Sequence, residues 1–163
     1  MRPSASKIRE SFEDARDWAE EQRAAGRVVV FTNGVFDLVH SGHLDSLRRA
    51  RAEGDCLIVA LNDDESVRRL KGPGRPILDI GQRLRVLAAL ECVDAVVPFG
   101  QDTPAEIIEA VAPGVLVKGG HYDVPEIVGH EFVLGGGGRV LSLPLIEGRS
   151  TSGIVDTIKE RFC

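Results

Sequence analysis

Five short, mostly apolar runs recur along the chain: Val28 to Phe31, Cys56 to Leu61, Ala95 to Phe99, Val115 to Val117 and Arg139 to Leu143. Runs without polar alternation suit strands covered on both faces, the condition of a parallel sheet between helices. The stretches between them carry helical spacing, for example Leu44, Leu47, Arg48 and Arg51, or Ile80, Leu84, Leu87 and Ala88. Strands alternating with helices imply an α/β domain, a doubly wound parallel five-stranded sheet with right-handed crossovers. At 163 residues the chain is read as a single globular domain over 27–163, with an N-terminal packing helix in 1–26. That helix is expected over Ser4 to Ala25, where Ile8, Phe12, Ala15 and Ala19 fall at helical spacing beside Trp18.

Open α/β sheets bind ligands at the carboxyl ends of their strands, and there this sequence concentrates its chemistry. After the first run comes Thr32-Asn33-Gly34-Val35-Phe36-Asp37-Leu38-Val39-His40-Ser41-Gly42-His43. Asn33-Gly34 breaks the strand, Ser41 stands where an N-cap would, and backbone N–H groups at the helix start attract an anion. His40 and His43 stand three apart at that start, so both imidazoles can reach the same anion, which suits a nucleoside triphosphate. A metal pair and solvated cap residues are the competing readings; the usual helical zinc pair is four apart with a Glu between, and no third ligand follows here.

The second run ends at Asn62-Asp63-Asp64, where Asp64 either holds substrate hydroxyls or magnesium, or caps a helix. Arg68, Arg69, Lys71, Arg75, Arg83 and Arg85 cluster in the next stretch. A charge run is usually a solvated face, but beside the expected triphosphate site a local anion clamp is the better reading, with Arg83 on a helix over Asp79 to Leu90 and available to a neighbouring site. Thr103 is read as the N-cap of the next helix. Lys118-Gly119-Gly120-His121-Tyr122-Asp123 follows the fourth run, and Arg149-Ser150-Thr151-Ser152 opens the last helix, a second set of donors for phosphate. Gly135 to Gly138 lacks the spacing of a dinucleotide-binding loop and reads as a turn.

The net charge of −5 argues against nucleic acid as the main partner. No apolar run is long enough to cross a bilayer, so no membrane partner is expected, and Ser4 to Arg27 is too polar for a secretory leader; a cytoplasmic location is the expectation. Cys56, Cys92 and Cys163 are odd in number and widely spaced, which fits neither a disulfide framework nor a zinc cluster.

Phe31 to Asp37, His40-Ser41-Gly42-His43, Arg69-Leu70-Lys71-Gly72, Gln82-Arg83, Asp102-Thr103-Pro104, Val117 to Gly120 and Ser150-Thr151 together resemble the His-x-Gly-His nucleotidyltransferases. Within that group the chain is similar to the adenylyltransferases of ADP-heptose synthesis, in their free-standing form. The resemblance implies a Rossmann-like nucleotidyltransferase fold and transfer of AMP from ATP to D-glycero-D-manno-heptose 1-phosphate, for lipopolysaccharide or surface heptose. It assigns catalysis to His40, His43 and Lys71. It assigns nucleotide binding to Thr32, Asn33, Gly34, Phe36, His40, His43, Arg83, Lys118, Gly119, Arg149, Ser150, Thr151 and Ser152. The acceptor falls to Asp64, Lys71, His121 and Tyr122. Mg2+ is expected to be bound mainly through the ATP phosphates, without a metal site of the protein's own, and a homodimer is implied.

Two departures stand out. Leu145-Ile146 occupies the place of an Arg-Thr pair of the cytidylyltransferases, which counts against the glycerol-3-phosphate cytidylyltransferase alternative; a non-catalytic nucleotide-binding module is the other. His121 stands where the heptose enzymes commonly carry Asp.

Overall fold

The computed structural model describes residues 4–144 and 150–162. Its strands are β1 (Val29–Gly34), β2 (Cys56–Asn62), β3 (Ala95–Phe99), β4 (Val115–Gly119) and β5 (Arg139–Leu143). They form one parallel sheet in the order β3-β2-β1-β4-β5. Phe31 lies in register with Ile58 on one side and Leu116 on the other. Side chains alternate across the sheet, Val29 and Phe31 entering one core and Val30 the other. β2 is buried at every position, which is why its sequence shows no polar alternation.

The helices are α1 (Phe12–Ala24), α2 (Ser41–Arg51), α3 (Asp64–Lys71), α4 (Ile80–Ala88), α5 (Ala105–Val111), α6 (His130–Gly135) and α7 (Thr151–Phe162). One core packs Trp18 and Ala19 of α1, Ile107, Ile108 and Val111 of α5, and Val133 of α6 against the sheet. The opposite core takes Leu47 and Ala50 of α2 with Leu84, Leu87 and Ala88 of α4. Helices therefore cover both faces, as the apolar runs require. After β3 the chain passes through α5 and places β4 on the far side of β1. Strand order reverses between β1 and β4, and a crevice opens at the carboxyl ends there.

Several boundaries move for local reasons. The packing helix begins at Phe12 instead of Ser4, because Ser11 caps it by accepting from the Asp14 N–H at 3.1 Å. Residues Ser4–Lys7 make a separate 3-10 turn, and Ile8 leaves the helical pattern to form a parallel bridge with Val96 on the outermost strand. His40, in extended conformation, is the N-cap residue of α2 in place of Ser41, and its carbonyl accepts from Leu44 N–H at 3.2 Å. Pro104, not Thr103, precedes α5. Cys56 is buried and reduced, and burial pushes its thiol up to about 11. Among the described residues no helix is long and apolar enough to cross a membrane.

Ile58 is fully buried at the centre of the sheet. Ile58→Ala should cost about 2–5 kcal/mol in urea unfolding, the usual range for a buried aliphatic cut to Ala; a loss below about 1 kcal/mol would show that the site collapses around the smaller side chain.

Candidate functional site

A cleft of about 650 Å³ opens at the strand-order reversal. Thr32, Asn33 and Gly34 come to it from β1, Phe36 from the turn after it, His43 from α2, Lys71 from the end of α3, Lys118 and Gly119 from β4, and Thr151 and Ser152 from α7, with Arg75 and Tyr122 from loops. The volume lies within the usual range for small-molecule sites, about 300–1,000 Å³.

Local geometry explains the turn out of β1. Phe36 sits in the left-handed region with φ 49°, uncommon for a bulky residue, and its ring meets the His43 ring edge-on at 5.1 Å. A Cβ at position 34 would stand 2.9 Å from Phe36 Cε2, so Gly34 is what lets Phe36 fold under the histidine. The His40 and His43 rings stack at 3.8 Å. His43 Nδ1 lies 3.4 Å from the His40 backbone N–H, which leaves Nε2 as the other ring nitrogen for a ligand. Burial first, and then the neighbouring His40, push the His43 pKa down to about 4, against a smaller upward pull from the Leu38 carbonyl. At neutral pH His43 is a hydrogen-bonding imidazole without charge. His40 stacks on it and does not itself line the cleft.

The positive charge of the cleft comes from Lys71, Lys118 and Arg75. The Lys118 pKa is lowered by burial and, secondarily, by the charge of Lys71. Two ammonium groups held close enough to repel one another form a site that an anion between them would relieve. Lys118 also lies 6.0 Å from the centroid of the Tyr122 ring. A Cβ at Gly120 would stand 2.4 Å from Tyr122 Cε2, and that residue has φ +134°, so a glycine is required for Tyr122 to lean over the cleft. At the start of α7, Ser150 Oγ accepts from Gly153 N–H at 3.0 Å, and Thr151 Oγ1 donates to the Leu38 carbonyl at 3.4 Å, which ties this helix to the segment before α2.

Like His40, the expected site residues Arg83, Asp64, His121 and Ser150 are absent from the cleft lining. Arg83 has no exposure at all; its guanidinium and Nε donate to the carbonyls of Leu78, Val35 and Asn62 and, at 2.7 Å, to Asp64 Oδ1. A buried guanidinium must satisfy its donors within the protein; this one places four of its five N–H groups there and has no exposed surface for a ligand to reach. Asp64 is taken up by that ion pair, outside the cleft lining, and Asp63 is the residue that caps α3, accepting from Ser66 N–H at 2.7 Å. His121 is exposed and outside the cleft, although its neighbour Tyr122 is inside it. Arg149 lies outside the described residues.

Asp37 received no role from the sequence, and Arg75 only a place in the basic run read as an anion clamp. Asp37 is 1 % exposed and accepts from Arg75 Nε, from Ile77 N–H at 2.8 Å and from Leu78 N–H at 3.0 Å. Burial raises its pKa, but the Leu78 and Ile77 bonds and the Arg75 guanidinium outweigh that and hold it below the usual carboxylate range. Arg75 was visible as one of a basic run; that its loop folds back onto the first strand was not. Among the described residues no group of three or more His, Cys, Asp and Glu is placed to hold a metal ion, and the Asp37 oxygens are already committed to hydrogen bonds. Among the described residues the donor set thus offers magnesium no cage of its own; an ion bound through a nucleotide's phosphates needs none.

An NMR titration of the apo protein should place the His43 midpoint near 4; a midpoint above 6 would contradict a neutral imidazole at this position. Because the unfolded chain takes up this proton near 6.5, the contribution of His43 to stability should be lost as pH falls from there toward about 4. Arg83→Met should cost about 3–5 kcal/mol in chemical unfolding, since it leaves its acceptors unpaired; near-wild-type stability would show that water replaces the guanidinium.

Residues 31–134 match the sequence model of the cytidylyltransferase-like family, a span that holds β1 to β4, both histidines, Lys71 and Lys118. The bifunctional protein HldE of Alcanivorax borkumensis is 54 % identical over 142 residues, which is 87 % of this chain and 30 % of that protein. The HldE of Syntrophotalea carbinolica is 49 % identical over 159 residues, covering 98 % and 32 %. The chain thus spans about a third of the length of these curated relatives. Among solved structures, the lipopolysaccharide core biosynthesis protein of Thermoplasma volcanium is 25 % identical with a TM-score of 0.62, over 76 % of this chain and 100 % of that one. Pantoate-beta-alanine ligase of Francisella tularensis, 13 % identical with a TM-score of 0.59 over 90 % of this chain and 69 % of that one, shares the fold. With the family match covering well over half of its length, this chain belongs to the cytidylyltransferase-like family.

Proposed function

We propose that this chain transfers AMP from ATP to D-glycero-D-manno-heptose 1-phosphate, giving ADP-heptose and pyrophosphate for lipopolysaccharide or surface heptose assembly. The observation that carries the reaction type is the convergence of His43, Lys71, Lys118 and the start of α7 on one cleft at the strand-order reversal. Near 50 % identity to HldE over almost the whole chain, and the likeness to a lipopolysaccharide core biosynthesis protein, support the heptose acceptor.

In the proposed step an oxygen of the sugar phosphate bonds to the α-phosphorus of ATP, and the bond from that phosphorus to the bridging oxygen of pyrophosphate breaks. The attacking group is already an ionised phosphate, so no general base is needed; alignment and stabilisation of the leaving group carry the rate. His43 supplies a neutral N–H donor, and Lys71 and Lys118 supply charge to the phosphates. The hydroxyls and N–H groups of Thr151 and Ser152 add donors from a helix start. Magnesium would be held mainly through the nucleotide's phosphates and would supply further charge neutralisation there.

A homodimer belongs to the same proposal, supported by Ile158 and Phe162, which lie 47 % and 79 % exposed on α7. So does a cytoplasmic location, where ATP is available.

The protein incubated with magnesium, ATP and either anomer of the heptose 1-phosphate should release pyrophosphate and form ADP-heptose. His43→Ala should lower kcat by about 10²–10³-fold, as loss of one such donor does. Turnover of CTP with glycerol 3-phosphate, and of neither heptose anomer with any nucleoside triphosphate, would overturn the substrate assignment.

A further inference from the structure

Arg75 stands on the wall of the cleft beside Lys71, on the loop between α3 and α4. Its side chain is 21 % exposed, while its partner Asp37 is at 0 %. Asp37 is held in place by the backbone: Ile77 and Leu78 N–H groups donate to it at 2.8 Å and 3.0 Å. A carboxylate fixed by those donors cannot swing away, and through Arg75 Nε it fixes the plane of the guanidinium. Arg69 and Asp102 make an ordinary pair by contrast, at 48 % and 75 % exposure, free to reorient in water. With Nε committed to Asp37, the Nη1 and Nη2 atoms of Arg75 have no acceptor among the described residues. Their parallel N–H bonds match two oxygens of one phosphate, a geometry that an ammonium cannot reproduce.

We propose that Arg75 is a further substrate-contacting residue, gripping a phosphate through its Nη atoms, and that Asp37 is the positioning residue that orients it. The inference rests on the proposed reaction only in naming the two sources of that phosphate, the triphosphate of the nucleotide or the phosphate of the acceptor.

The test measures calorimetric binding of magnesium-ATP and of heptose 1-phosphate separately, together with KM and kcat, for the wild type, Arg75→Ala, Arg75→Lys, Asp37→Asn and the Asp37→Asn/Arg75→Ala double variant. Loss of a charge-assisted contact should raise the Kd and KM of one ligand by about 10–100-fold with a smaller change in kcat. The ligand affected identifies the source. Arg75→Lys should recover only part of the affinity. Asp37→Asn should weaken the same ligand and leave the other unchanged, and the double variant should bind that ligand no worse than Arg75→Ala. A general loss of stability at Asp37 would weaken both ligands and would add to the effect of Arg75→Ala. Wild-type affinity of Arg75→Ala for both ligands, or additive losses in the double variant, would overturn the proposal. Failure of the wild type to bind heptose phosphate would count against the acceptor assignment alone. Arg75 would then be judged on magnesium-ATP, pyrophosphate and inorganic phosphate, and unchanged binding of all three by Arg75→Ala would overturn it.

Discussion

A guanidinium without solvent must find its acceptors inside the protein, and Arg83 finds them at the carboxyl ends of the sheet. Its bonds to Val35 and Asn62 join the segments that leave β1 and β2, while those to Leu78 and Asp64 bind the loop before α4 and the head of α3. Asp37 does the complementary work with opposite charge, drawing Arg75, Ile77 and Leu78 onto the same edge. Between them these buried groups hold the loop from α3 to α4 against the strand ends. The cleft exists because strand order reverses there; it keeps its shape because charge is buried beside it. Removing either charge would leave unpaired groups in a low-dielectric setting, a cost larger than any single surface contact supplies.

On that frame the electrostatics of the cleft follow. Burial strips His43 of its proton and leaves a neutral donor, while Lys71 and Lys118 line the same cleft and the charge of Lys71 adds to the burial that lowers the Lys118 pKa. A site arranged in this way is already oriented for negative charge before ligand arrives, which lowers the reorganisation needed as a leaving group develops charge. The start of α7 is tied by Thr151 to Leu38, so residues more than a hundred positions apart meet at one cleft.

Much of this was legible in the amino-acid order. Unbroken apolar runs revealed a sheet covered on both faces, and the chemistry-bearing segments after each run pointed to the edge where the cleft lies. The sequence singled out His43, Lys71, Lys118, Tyr122 and the hydroxyls of α7 because each lies near a strand end or a helix end, and the fold brings them to one cleft. What stayed hidden was the direction of side chains within those segments. Arg83 sits in a run of cations and by spacing alone is a ligand for phosphate; only the fold shows it turned inward onto Asp64. Asp64 was lost to the site for the same reason, and His121 because the turn at Gly120 sends the next residue, Tyr122, over the cleft instead. Asp37 lay inside the most informative stretch of the chain, yet its partners are 38 to 41 residues away in a loop rich in Gly and Pro. Local pattern has no access to contacts of that range.

The claim that a sugar phosphate attacks the α-phosphorus of ATP in this cleft is tested by following the individual phosphorus atoms. With heptose 1-phosphate and ATP labelled separately at the α- and γ-phosphorus, the α-label should appear in ADP-heptose and the γ-label in pyrophosphate. A γ-label recovered on the sugar, with ADP as the nucleotide product, would contradict the claim.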